Sequence, residues 1–196
     1  MALTCRQLIT FEDYKEAVRL VEENSTFQKN KISFAVRTWF ISRLYIRIGK
    51  SGPTNNQYYF GAFNEEGKLL AWTHFVVWDE KPVFTYGAIF ATNTIPLEKI
   101  EGTRYSKAVQ EVVDFGFSEM EKLGLTEGYM QTPQQSDWRG HLRHAPNETV
   151  TKWDWEDYEY IDPHFGVSED SLINKYVLLT EVTTPQKIMK FTKKNA

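Results

Sequence analysis

Cysteine is nearly absent: Cys5 is the only one among 196 residues. A lone thiol forms no internal disulfide and builds no cysteine-rich metal site, so a reduced, intracellular setting and a cytoplasmic location are expected. Long apolar runs are missing as well. Nothing approaches the roughly 20 apolar residues of a membrane span. Arg6, Glu12, Asp13 and Lys15 break the N-terminal stretch before an apolar leader can form, so neither a membrane partner nor a secretory signal is expected. Asn147-Glu148-Thr149 matches a glycosylation acceptor, but without secretion it reads as chance. There is no basic excess either. The net charge of -3 argues against nucleic-acid binding. No Ser stands in a Gly-x-Ser-x-Gly setting and no Cys–His pair has a recognisable context, which leaves nucleophilic catalysis without a signature.

The chain does have a core's worth of apolar residues, at 41%, with 25% charged and an aromatic share of 15%. That composition suits one folded domain spanning residues 1–196. Much of the aromatic content lies between Trp138 and Tyr160.

Leu3–Ile9 alternates as a first strand. Thr10, with Asp13 three residues on, makes a capping box for a helix that carries Tyr14, Ala17, Val18 and Val21 and stops near Asn24-Ser25. A second helix is expected over Ile32–Ile48, and Ser51–Asn56 reads as a loop. Tyr58–Phe63 and Leu69–Trp78 flank Asn64-Glu65-Glu66-Gly67, where Asn and Gly supply the positive-φ positions of a hairpin. Val83–Ala91 is a third strand of the same sheet. After a loop from Pro96 to Arg104, Val109, Val112, Val113, Phe117 and Met120 form the stripe of an amphipathic helix capped by Gly124. Gly128–Thr132 then reads as a short strand, parallel to the one before the loop by the crossover rule. A short helix is expected around Asp137–His144. Tyr158–Ile161 and Tyr176–Thr180 read as final strands, and the basic end, residues 190–196, as a frayed tail.

This order resembles the GNAT (general N-acetyltransferase) superfamily over about 180 residues. Three pieces carry the resemblance: Leu3–Tyr14, the hairpin Phe60–Trp72, and Ala88–Pro133. It implies an α+β domain with a mixed, mainly antiparallel sheet of about six or seven strands flanked by helices. It also implies acetyl-CoA as cofactor and an amine-bearing small molecule or protein as partner, with a homodimer left open. The family's cofactor loop reads Gln or Arg, two residues, Gly, one residue, then Gly or Ala. Small residues let backbone amides approach the pyrophosphate, and the helix N-terminus favours its charge. The nearest register here is Lys99-Ile100-Glu101-Gly102-Thr103-Arg104. Arg104, or Tyr105 in a longer alignment, stands where the second small residue belongs, and Glu98 and Glu101 add negative charge. The resemblance assigns Gly102, Thr103, Tyr105 and Ser106 as amide donors and Lys99, Arg104 or Lys107 as phosphate partners. Ile89, Phe90 and Ala91 would bond the pantetheine arm. The bland alternative is a surface loop of mixed charge.

GNAT-type transfer calls for a base to deprotonate the amine and an acid beside the departing thiolate. The family's usual acid, a tyrosine on the helix after the strand that ends at Pro133, has no counterpart, because no tyrosine occurs between Pro133 and Asp157. Tyr158 and Tyr160 are the substitutes, each competing with a role as an edge aromatic. His74 is the first base candidate, set against a satisfied core histidine; Glu80 and Asp79 follow, set against turn residues. His141, His144 and Asp137 have weak metal-site spacing, and no metal is expected. Trp153–Tyr160 alternates aromatic and acidic residues, suited to a cationic amine or, more plainly, to an edge strand with one packed face. The departures together leave a second reading: a GNAT-like domain without catalysis, serving as a binding or assembly module in a viral particle or a complex.

Overall fold

The computed structural model describes residues 2–27, 41, 44, 56–101, 106–134, 152–165, 170–177, 181–182 and 184–195. Along the chain lie β1 (Thr4–Gln7), α1 (Phe11–Phe27), β2 (Gln57–Phe63), β3 (Leu69–Val77), β4 (Phe84–Ala91), α2 (Lys107–Lys122), β5 (Glu127–Pro133), β6 (Trp153–Ile161), β7 (His164–Phe165), α3 (Leu172–Tyr176), β8 (Glu181–Val182) and β9 (Gln186–Lys193). Seven strands share one sheet in the order β1-β2-β3-β4-β5-β9-β6, and β7 pairs with β8 separately. β4 and β5 are parallel, while β1–β2, β5–β9 and β6–β9 are antiparallel. This is the mixed α+β sheet that the element order implies. The chain forms two compact units, Met1–His74 with Ala88–Gly116, and Phe75–Gly87 with Phe117–Ala196.

In the first unit the capping box forms as read. The Asp13 amide donates to Thr10 Oγ1 at 3.1 Å, and Asp13 Oδ2 accepts from the Thr10 amide at 3.0 Å. Arg6 adds two bonds to the same carboxylate, at 2.6 and 2.8 Å. α1 runs to Phe27, past the expected stop near Asn24-Ser25. Its apolar stripe of Tyr14, Ala17, Val18, Leu20 and Val21 is buried with Tyr59, Phe63, Leu69 and Trp72. The hairpin turn departs in one detail from the reading. Gly67 alone has positive φ, at 75°. Asn64 works through its side chain, whose Oδ1 accepts from the amides of Glu66 and Lys68 at 3.1 and 2.8 Å. Of the expected second helix, Ile41 and Leu44 are described; both are helical, and Leu44 is fully buried. The rest of Ile32–Ile48 lies outside the described residues.

The second unit is built on aromatic rings. Phe117 of α2 lies within 5.4–5.7 Å of Phe75, Phe84, Trp153 and Phe191, ring centre to ring centre. Gly128 is required by this packing, because a Cβ there would sit 2.5 Å from Cζ of Phe84. Two expectations fail here. Residues 190–196 were expected to fray, but Lys190–Lys193 close β9, a strand hydrogen-bonded on both sides, by β5 and by β6. Phe191 is fully buried in it, and Lys187 and Lys190 pair with Asp157 and Glu127 at 3.1 and 3.2 Å. Tyr176-Val177 was expected to open a strand. Leu172–Tyr176 is instead a short helix, N-capped by Ser171, whose side chain accepts from the Asn174 amide. Residues 178–180 and the expected helix at 137–144 lie outside the described residues.

Candidate functional site

β4 feeds the loop before α2, and two features of it stand out. Its parallel ladder with β5 joins Phe84 to Gly128 and Thr85 to Tyr129, at the start of both strands. Its alternation also breaks. On β2, Tyr59 meets Tyr14 of α1 while Phe60 meets Phe115 of α2, so the two helices cover opposite faces. Phe84 and Tyr86 turn towards Phe117 of α2, yet Phe90 stacks on Trp72 at 4.8 Å, and the Trp72 indole N–H donates to the Ala17 carbonyl of α1. Residues 84, 86 and 90 would share one face of a regular strand. β4 is therefore irregular between Tyr86 and Phe90, as at a bulge. The candidate Phe90 is buried, and its neighbours Ile89 and Ala91 are half-buried.

Beyond β4 the chain narrows into a neck. Lys99 bridges to Ser106, and the Lys107 amide donates to the Glu98 carbonyl at 2.8 Å. Ser106 is the N-cap of α2: its Oγ accepts from the Val109 amide at 3.2 Å and its carbonyl from Gln110 at 3.1 Å. Gly102, Thr103, Arg104 and Tyr105 lie outside the described residues. Two of the first amides of α2 are thus committed inside the protein. The side-chain cations available to a diphosphate at this end are Lys99 and Lys107, one on each leg of the neck, and the Lys107 ammonium is paired with Glu111 at 3.8 Å. The donor set fits such a group through side-chain cations, opposed by the exposed Glu98 and Glu101.

The catalytic candidates divide between the units. His74, in the first, is 1% exposed and stacked on Tyr59 at 4.6 Å, a core position. Glu80, in the second, is an exposed carboxylate paired with Lys175 at 2.6 Å. Hydrogen bonds from Lys175 and Tyr176 lower its pKa, which weakens it as a proton acceptor. Asp79 Oδ2 accepts from the Tyr176 hydroxyl at 3.1 Å. Tyr158 is half exposed and sets its ring edge against Tyr129, which stacks on Trp78, which stacks on Tyr176. Glu80 and Tyr158 are therefore the two ends of one run of side chains. Tyr160 is exposed, and its hydroxyl donates to Asp157 at 3.2 Å. Trp153 is 2% exposed and Trp155 is half-buried, so the fully exposed rings of β6 are Tyr158 and Tyr160. The triad Asp137, His141 and His144 lies outside the described residues.

Further perturbed groups sit where α2 faces β1. Burial pushes the Asp114 carboxyl up to about 7, against a hydrogen bond from Gln110 and with help from Glu111. Burial, Glu111 and Asp114 push the Cys5 thiol up to about 12, so it is not a ready nucleophile. Sequence reasoning missed Glu23 near the end of α1. Its side chain, 13% exposed, accepts from Thr92 Oγ1 at 2.9 Å, the Asn93 amide at 3.3 Å and Thr94 Oγ1 at 3.2 Å, and pairs with Arg19. The available signal was Thr92-Asn93-Thr94, a run of side-chain donors directly after a strand.

Known proteins now bear on this geometry. No protein-family model matches the sequence, and no curated protein matches it either. Solved structures do match over the whole chain. An acetyltransferase of the GNAT family from Desulfovibrio desulfuricans aligns at a TM-score of 0.66 and 8% identity, covering 97% of this chain and 99% of that one. The ribosomal-protein-S18-alanine N-acetyltransferase from Escherichia coli gives 0.61 and 13%, covering 100% and 96%. The PaiA N-acetyltransferase from Thermoplasma acidophilum, solved in complex with coenzyme A, gives 0.57 and 12%, covering 100% of both. At such identities the likeness is one of fold: the chain carries the GNAT acetyltransferase fold in a divergent form. Among the described residues no helix is long and apolar enough to cross a membrane.

Proposed function

We propose that this protein is an acetyl-CoA-dependent N-acyltransferase acting on an amine. The observation that carries the reading is the parallel β4–β5 pair joined through the neck and α2, within a fold shared end to end with N-acetyltransferases. Bound acetyl-CoA would supply an activated acyl thioester. Lys99 and Lys107 would offset its diphosphate charge, and the β4 backbone at Ile89–Ala91 would hold its arm. Of the phenols considered as acids, Tyr158 is half exposed rather than sealed in the core. Glu80, held ionised by Lys175, is better suited to attracting a cationic amine than to taking its proton. His74 is too deeply packed to meet a substrate.

Titration calorimetry with acetyl-CoA tests the reading. Saturable binding is expected, with Lys99→Ala and Lys107→Ala each weakening it. Absence of heat at about millimolar ligand, a binding free energy near 4 kcal/mol or less, would overturn it.

One observation favours the second reading, a module of this fold without catalysis. The Lys107 and Val109 amides at the head of α2 are already spent on Glu98 and Ser106. An N-terminus satisfied by its own chain has less to offer an anion.

A further inference from the structure

We propose that Glu23 fixes the loop that leads into α2 and is thereby a positioning residue for coenzyme A; this rests on the acyl-transfer reading above. The chain leaves the sheet at Thr92, whose amide donates to the Leu70 carbonyl at 2.8 Å. From there to the neck at Glu98 and Lys99 it has no strand or helix to hold it. Glu23 supplies the hold. One carboxylate takes bonds from three successive residues, Thr92, Asn93 and Thr94, and the Glu23 carbonyl also accepts from Asn93 Nδ2 at 3.1 Å. Only Ile95, Pro96 and Leu97 then separate this anchor from the neck, and the proline ring fixes one of their φ angles. The other leg of the neck continues directly into α2. The neck is therefore flanked by a helix on one side and by the Glu23 anchor on the other.

The chemistry of the anchor is specific to a carboxylate. Among the described residues, every partner of the Glu23 side chain is a donor: two hydroxyls, a backbone amide and a guanidinium. An ionised carboxylate accepts from all of them, whereas an amide of the same shape turns an NH2 group towards some. Arg19 completes the arrangement, because it pairs with Glu23 and Glu16 and also donates to the Leu69 carbonyl at 3.3 Å. The loop is thus tied to α1 and to the start of β3 through one charged pair. Leu69 and Leu70, side by side on β3, receive the Arg19 guanidinium and the Thr92 amide respectively, so the anchor is referenced to the sheet and not to α1 alone.

The test compares Glu23→Gln, Thr92→Val and Asp13→Asn with the parent protein. Asp13→Asn loosens the opposite end of the same helix and controls for general loss of stability. Coenzyme A affinity is read by calorimetry, and amide hydrogen exchange is read over residues 94–99. Displacing the loop should weaken coenzyme A by about tenfold in Glu23→Gln and less in Thr92→Val, with faster exchange at 94–99. Asp13→Asn should leave both readouts near the parent values. In turnover, KM for acetyl-CoA should rise while kcat holds. If Glu23→Gln binds coenzyme A within twofold of the parent, or Asp13→Asn weakens it equally, the positioning role is wrong while the acyl-transfer reading stands. If the parent protein itself fails to bind, that reading falls and this role falls with it. Should Glu23→Gln not fold, Thr92→Val carries the same comparison from the loop side.

Discussion

The two units are secured in different ways. In the first, polar side chains tie both ends of α1: Asp13 with Arg6 and Thr10 at one end, Glu23 with Arg19 and the loop after β4 at the other. In the second, rings do the work, with Phe117 meeting Phe75, Phe84, Tyr86, Trp153, Trp155 and Phe191. Ring packing is indifferent to pH and intolerant of volume change. Charged latches tolerate volume change and respond to pH. The ends of α1 should therefore answer to protons and the ring cluster around Phe117 to cavities.

The sharpest way to break the contrast is to empty the ring cluster. Phe117→Ala should cost about 3–5 kcal/mol, measured by urea unfolding, with the loss equal at pH 5 and pH 8. Overfilling it comes next. Gly128→Ala forces a methyl group into the Phe84 ring and should cost about 1–3 kcal/mol, again without pH dependence. On the latched side, Asp13→Ala removes a cap and should cost about 1–2 kcal/mol. Burial alone would raise the Asp13 pKa, but Arg6 and the Thr10 and Ile9 amides outweigh it and bring it down to about 2. A depressed carboxyl stabilises fully above its unfolded pKa. The penalty for Asp13→Ala should thus be level above about pH 4 and shrink as pH falls towards 2.

The smallest effect sharpens the contrast from the opposite sign. Asp114, raised to about 7 chiefly by burial, suits the folded state better protonated than ionised. Its raised pKa means that stability is lost as pH climbs from the unfolded value, 3.8, through about 7. Asp114→Asn removes that loss. The variant should exceed the parent by about 1 kcal/mol, roughly 2–4 °C in Tm at pH 8. The gap should narrow towards pH 4. A gap that does not change with pH would mean that Asp114 is solvated.

The parts of the fold that were legible are those where local chemistry and the sheet agree. The capping box at Thr10 and Asp13, the turn at Asn64–Gly67 and the stripe of α2 are each written in a few adjacent residues. What escaped depends on distant partners. β9 carries a lysine at every third position, which reads as a solvated tail until Asp157 and Glu127 stand opposite. Tyr176-Val177 has strand propensity, but Ser171 caps a helix just ahead of it, and the Tyr176 ring stacks on Trp78. The irregularity in β4 has no local signature, because the faces of Phe84 and Phe90 are set by α2 and by Trp72. For the site, the described part of the expected loop, residues 96–101, lies between β4 and α2, yet Glu23, far off in sequence, could not be connected to it by periodicity.

The position of β9 has a consequence for the order in which the sheet assembles. β6 is not bonded to β5, its predecessor in the chain; the two are joined only through β9, which follows both. While a nascent chain has extended no further than Pro185, β5 and β6 each present a bare edge that nothing earlier in the sequence fills. The slowest contacts to form in this unit are therefore expected to be those on which both strands wait. A ribosomal pause or a proteolytic cut just ahead of Gln186 would leave two open edges at once, one of them studded with acids and tyrosines, in the state most exposed to chaperones and to self-association.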